Sequence, residues 1–312
     1  MERMVAETAA AAREAGVALQ CQECGAQLTF DRYRTTVCPY CACPSVIERP
    51  ATADRPNPTF VLPFTVTRAH AEQAVRRWQS RLRLVRRSLG RATIEELKGV
   101  YVPAYLYSAV VSSRYSAQIG ENYTVVETYT TRVNGKTVTR TRTRTRTEWR
   151  PLEGEHAAYA TDLVVTASRG LPNDELERVE PFDLRALRRY GAPLVSGWLV
   201  EEPSLDLRAC TALARQEAEQ QEADRLRAFM PGDSFRDLRF AMSVRDEAIE
   251  PALVPVWVLA VRPRPQAPPM RVVVNGQTAA LWGPERLSPI KIALWLLAAT
   301  ALVALVAWGL GR

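Results

Sequence analysis

Five of the chain's six cysteines fall in the run "CQECGAQLTFDRYRTTVCPYCAC", which sets the pairs Cys21/Cys24 and Cys38/Cys41 on either side of a short spacer. Each CxxC turn aims two sulfurs the same way, and a hairpin in the spacer would bring both pairs onto one tetrahedral ion. That spacing predicts a zinc ribbon, with redox dithiols as the competing reading. Four thiolates fill the coordination shell and leave no position for water, so the expected ion is a structural Zn2+ rather than a catalytic one. A segment this short cannot bury enough apolar surface to fold alone, and metal binding supplies what is missing. Gly25 follows the first pair and gives the permissive backbone such a turn needs. Cys43 is a spare sulfur able to replace Cys41, and Cys210 reads as a small buried apolar residue.

A second pattern is the alternation "KTVTRTRTRTRTEWR" after Asn134 and Gly135. Asn-Gly is the preferred pair for a two-residue type I′ turn, so residues 121–150 are expected to form an antiparallel hairpin. Setting Val133 against Lys136 puts Tyr129 opposite Arg140, Glu127 opposite Arg142, Val125 opposite Arg144 and Tyr123 opposite Arg146. Threonines pair on the other face. At about 3.4 Å per residue such a ribbon reaches roughly 35 Å, so part of it is expected to project. Arg140, Arg142, Arg144 and Arg146 are candidate contacts for an anionic surface or a partner. The bland alternative is a solvated face whose arginines guard an edge. Anionic lipid, an acidic protein and nucleic acid remain as occupants, the last opposed by Glu121, Glu127 and Glu148.

Little else suggests chemistry. His70 and His156 are the only histidines and read as surface or capping residues. No P-loop, nucleophile elbow, HExxH or dinucleotide fingerprint occurs, and Asp162, Asp174, Asp183 and Asp233 are scattered. The expectation is that the protein is not an enzyme, with no catalytic residue assigned.

The elements that must position these groups divide the chain as follows. An N-terminal tail (1–18) precedes the ribbon (19–47) and a proline-rich linker (48–59). An α+β domain follows over 60–289. In it, "FVLPFTV" reads as a strand, and Thr67 caps a helix that runs to about Leu89. "GVYVPAYLYSAVVSSRYSAQI" is strand-like, since β-branched and aromatic residues dominate it. The second half echoes the first, with a helix capped by Ser204 or Asp206 and then "PALVPVWVLAV". There Val254, Pro255 and Trp257 match Val102, Pro103 and Tyr105, so a duplicated domain with an antiparallel sheet is expected. Asn275 and Gly276 signal one more hairpin.

Ile292–Leu310 holds nineteen residues without a charge, and Trp295 and Trp308 stand near its ends. The stretch 290–311 is therefore expected to be a single transmembrane helix. Lys291 and Arg286 precede it, which places the N-terminal domain in the cytoplasm of a tail-anchored inner-membrane protein. The opening "MERMVAETAAAAREAG" is charged and unlike a signal peptide.

Hydrophobic residues make up 47% of the chain, which excludes a disordered protein and allows a packed core. The net charge of +7 points toward acidic partners. It is carried almost wholly by arginine, Lys98, Lys136 and Lys291 being the only lysines, and a GC-rich coding bias would give the same composition.

Several phrases resemble a bacterial family of TFIIB-type zinc-ribbon membrane proteins of unknown biochemical activity. They are the CxxCG and CPYC knuckles, "KGVYVPAYLY" from Lys98, "EPFDLRALRRYGAPLVSGWLVEE" from Glu180, "ALVPVWVLAVR" from Ala252 and "VNGQTAALWGPERLSPIKI" from Val274. Ala279 stands where that family commonly has glycine, and the threonine–arginine repeat is unusual for it. Some relatives resemble ribbon proteins encoded beside phage-shock and flotillin-like (SPFH) proteins, which implies an adaptor tied to membrane stress. The expected function is thus a membrane-anchored zinc-ribbon adaptor that recruits a cytosolic protein partner to the inner leaflet. A membrane-tethered nucleic-acid-binding protein is the first alternative and an enzyme the second.

Overall fold

Valine, threonine and tyrosine fill long stretches of this chain, and such residues suit a pleated, half-buried surface. In the computed structural model they form strands several times longer than usual. The structure describes residues 17–30, 38–41, 46–49, 57–81, 97–133, 136–261, 270–284 and residue 300. The strands are β1 (Val17–Cys21), β2 (Gln27–Phe30), β3 (Val46–Arg49), β4 (Phe60–Val61), β5 (Lys98–Val133), β6 (Lys136–Thr166), β7 (Arg188–Arg189), β8 (Leu199–Glu202), β9 (Ser234–Val261), β10 (Met270–Asn275) and β11 (Leu281–Trp282). The helices used below are α1 (Arg68–Arg81), α2 (Asn173–Glu177), α3 (Ala192–Val195) and α4 (Leu207–Phe229).

The expected α+β class is corrected by this inventory, because the fold is mostly β-sheet. The three longest strands run for 36, 31 and 28 residues and outweigh the helices. From the sequence, residues 99–119 are expected as a long strand or a strand pair, separate from the hairpin strand that begins at 121, whereas both belong to β5. In the structure Pro103 and Pro255 lie within β5 and β9.

The membrane expectation is corrected too. Among the described residues no helix is long and apolar enough to cross a membrane. The predicted span 290–311 lies outside the described residues apart from Thr300. An apolar run satisfies a length requirement but does not by itself establish a spanning helix. Single-pass, tail-anchored placement in the inner membrane is therefore not supported. Also outside the described residues are the tail to residue 16, Cys43, most of the linker, residues 82–89 of the expected first helix, and the Asn134–Gly135 turn.

The chain divides into two compact units. The first comprises residues 1–106, 164–210 and 250–312, and the second 107–163 and 211–249. The first unit has the strand order β11-β10-β9-β5-β8-β2-β1-β3, with β4 paired to β7 and β9. Two passes of this unit share their hydrogen bonding. β4 runs parallel to β9 through Phe60↔Ala252 and Val61↔Leu253, and β8 runs parallel to β5 through Val100↔Leu199 and Tyr101↔Val200. The Pro103 carbonyl accepts from Ala167 N and the Pro255 carbonyl from Gly276 N. The Ala167 carbonyl then accepts from Ser204 and Leu205, and that of Gly276 from Thr65 and Val66. Helix starts also correspond: His70 N donates to Thr67 Oγ1 and Ala209 N to Asp206 Oδ1, each satisfying a first-turn amide. The core of the unit includes Val100, Val102, Ala104, Val254, Val256 and Val258.

In the second unit one face of β5 is buried through Ala109, Val111, Tyr115, Ala117 and Ile119, while α4 buries Ala214, Ala218 and Leu226. The Tyr107 hydroxyl donates to Glu247 Oε1 at 2.6 Å, and Arg215 Nε donates to the same oxygen at 2.8 Å. The arginine hydrogen bond, ahead of the tyrosine's, holds the Glu247 carboxyl down to about 2.

Candidate metal centre and arginine ribbon

Cys21 ends β1, and the turn after it is tight. Gly25 N donates to the Cys21 carbonyl at 3.0 Å, and Cys21 N donates to that of Ala26 at 2.9 Å. Gly25 sits at φ +73°, in the left-handed region that a side chain rarely adopts. A second turn carries Cys38, Tyr40 and Cys41. The two turns bring the four sulfurs within 4.8 Å of one another, with Cys21 Sγ 3.4 Å from Cys41 Sγ and Cys24 Sγ 3.7 Å from Cys38 Sγ.

The fit to a metal can be tested on these distances. Four sulfurs about 2.3 Å from a tetrahedral ion lie about 3.8 Å from one another. The observed separations need only a small adjustment to match. All four cysteines are free thiols, and Cys21, Cys38 and Cys41 are buried. Hydrogen bonds from Cys24 and then Cys38 hold the Cys21 thiol down to about 6, and hydrogen bonding to Cys21 raises those of Cys24 and Cys38. One thiolate is thus favoured at the expense of the others. Ionising all four in this space requires a cation among them, and the four cysteines could hold a metal ion.

The neighbours of the knuckles come from far along the chain. β2 pairs with β8 through Gln27↔Glu202, Leu28↔Glu201 and Thr29↔Val200, so the cysteine segment is a hydrogen-bonded part of the first unit's sheet. From the second knuckle the fully buried Tyr40 donates its hydroxyl to Glu201 Oε2 at 2.5 Å, and Ser168 Oγ donates to Glu201 Oε1 at 2.5 Å. Burial pushes the Glu201 carboxyl up to about 7. Gly170 permits this packing, since a Cβ there would stand 2.7 Å from that of Ala26 and 2.8 Å from Tyr40 Cδ2. Cys21, Cys38, Tyr40 and Cys41 share one core cluster with Leu62, Val100 and Val254. Tyr40, Ser168 and Glu201 were not singled out from sequence. The tyrosine inside "CPYC" is the one local signal that could have found them.

Arg140, Arg142, Arg144 and Arg146 all lie at exposed positions of β6. Three of them converge on one carboxylate. Arg142 donates through Nε and Nη2 to Glu127 Oε2 at 3.0 and 2.8 Å, Arg146 Nη2 donates to Oε1 at 2.9 Å, and Arg144 Nη1 lies 3.7 Å from Oε2. The Arg142 hydrogen bond leads in lowering the Glu127 carboxyl. Arg142 also stands over the Tyr129 ring, 5.5 Å from its centroid. Thr147 Oγ1 donates to Asn122 Oδ1 at 2.7 Å. Glu127–Arg142 and Asn122–Thr147 are pairs that a Val133–Lys136 closure sets opposite each other.

His156, expected as a surface or capping residue, is partly buried, with 22% of its side chain exposed. Its Nδ1 lies 2.7 Å from Oε1 of the fully buried Glu222, and Ser113 donates to that same oxygen. The acid stands between serine and histidine. Nucleophile activation needs the histidine in the middle, so this trio ties α4 to β5 and β6 without activating Ser113. His70 is an exposed residue of α1.

No protein-family model matches the chain, and no solved structure matches it. The chain is 23% identical over 257 residues to YdjG of Bacillus subtilis (strain 168), a protein described as uncharacterized. The alignment covers 76% of this chain and 66% of that protein, a little under two thirds of its length.

Proposed function

We propose that the protein is a zinc-stabilised adaptor, in which a structural Zn2+ held by Cys21, Cys24, Cys38 and Cys41 fixes the first knuckle as a docking surface for a protein partner. The observation that supports this best is the closed sulfur site. Four thiols at near-tetrahedral spacing suit a soft, four-coordinate ion and leave a substrate no coordination position. The ion then shapes the backbone rather than reacting. What it shapes is a shallow polar depression formed by Gln20, Gln22, Glu23, Cys24, Gly25 and Arg169, with Gln22 and Glu23 exposed at its rim. The resemblance noted above makes a soluble phage-shock or flotillin-like protein the first partner to seek.

The test compares the full chain with a Gln22→Arg/Glu23→Arg variant, both purified from the native host with whatever they hold. Zinc is measured by elemental mass spectrometry and partners by protein mass spectrometry. We expect about one zinc per chain in both, and a stoichiometric protein retained by the wild type and lost from the variant. Full zinc with no such protein would sink the adaptor reading, and absence of zinc would sink the metal assignment.

A further inference from the structure

Between residues 121 and 150 the chain carries seven basic side chains against three acidic ones. The arginine row is under-neutralised where it is densest, since Glu127 serves Arg142, Arg144 and Arg146 together. Arg140 has no acidic partner among the described residues. The three that touch Glu127 still expose 50%, 57% and 56% of their side chains. Each guanidinium has five donors in a fixed fork, so most donors on this row point to solvent.

The strand that bears the row is also an edge. Among the described residues β6 pairs with β5 and with no other strand, while β5 also pairs with β9 and β8. One side of β6 therefore offers unpaired backbone donors and acceptors beside the arginines. Alternate residues on a strand project to one face about 6.8 Å apart. Arg140 to Arg146 thus repeats at the spacing at which an extended polypeptide presents its own alternate side chains. The match is one of like geometry with opposite charge.

We infer that the Lys136–Arg150 edge of β6 is a docking site for an extended acidic polypeptide, one with carboxylates at every second position, which adds to the sheet as a further strand. Main-chain hydrogen bonds to the β6 edge hold it, and carboxylates paired with Arg140, Arg142, Arg144 and Arg146 set its register. The threonine face suits such an addition, because cross-strand threonine and β-branched pairs are favourable there. A second copy of this chain is the wrong occupant, since joining two β6 edges brings two arginine rows of like charge together. This inference does not rest on the knuckle reading and survives its failure.

The test is a fluorescence-anisotropy titration of the full chain with a labelled twelve-residue peptide of alternating threonine and glutamate. Three companions are used: a peptide of the same composition with its glutamates in one block, the alternating peptide N-methylated at its interior amides, and a twelve-nucleotide oligothymidylate. The expected result is saturable binding of the alternating peptide that weakens at least about tenfold in an Arg140→Glu/Arg144→Glu variant with an unchanged melting curve. Blocked glutamates and methylated amides should each weaken it at least about fivefold. Equal binding of the methylated or blocked peptide would overturn the added strand and leave only a diffuse cationic surface. Tighter binding of the oligonucleotide, or no binding of the alternating peptide, would overturn the assignment of an acidic polypeptide.

Discussion

The cysteine knuckles and the arginine row are both short stretches dominated by one residue type, and the structure treats them in opposite ways. The knuckles are turned inward: three of the four thiols are buried, and their neighbours Tyr40 and Ala26 pack on Gly170. Their hydrogen-bonding capacity is taken up by one another, by β8 and by Glu201. The arginines stay in solvent and share one carboxylate among three guanidiniums. A closed set of this kind stabilises a fold. A row with donors left over keeps hydrogen bonds to offer a ligand.

The sharpest way to break that contrast is to remove a ligand. Metal binding to a structural thiolate site contributes about 10–16 kcal/mol in small zinc domains, which matches or exceeds the total stability of about 5–15 kcal/mol typical of a folded protein. Cys38→Ala should therefore abolish the cooperative melting of the first unit and release zinc, as followed by circular dichroism and elemental analysis. A variant that melts like the wild type would show that the metal is not structural. A smaller loss is expected from Tyr40→Phe, which leaves the buried Glu201 short of one donor and should cost about 1–3 kcal/mol in denaturant melts while zinc is retained. If that substitution is neutral, the link between the second knuckle and β8 carries no stability. The smallest effect belongs to the row. Glu127→Gln removes the negative charge that three arginines share and should move the melting temperature by less than about 2 °C. It should tighten binding of the alternating acidic peptide severalfold, since the arginines lose their internal competitor. A large drop in melting temperature would instead make the row structural, like the knuckles.

Much of this was legible in the chain because it depends on neighbours in sequence. CxxC spacing places two sulfurs on one turn, whatever the rest of the fold does, and two such turns give four thiols that could hold a metal ion. Strict alternation specifies a strand with its arginines on one face. The caps at Thr67 and Asp206, and the matched positions around Pro103 and Pro255, are equally local, and the structure gives them equivalent hydrogen bonds. His156 illustrates the limit: nothing near it in sequence indicates Glu222, which lies 66 residues further along the chain.

By itself, then, the sequence determined which groups exist and which short-range geometry they take, since dihedral preference and side-chain period act over a few residues. Tertiary structure alone decided that the fold is mostly β-sheet, that β2 extends the sheet at β8, and that Glu201 receives Tyr40 from 161 residues away. It also decided that three arginines would converge on Glu127 beside a strand edge. Strand partners are chosen by buried area and by satisfied backbone groups summed over the whole unit, and no local window contains that sum.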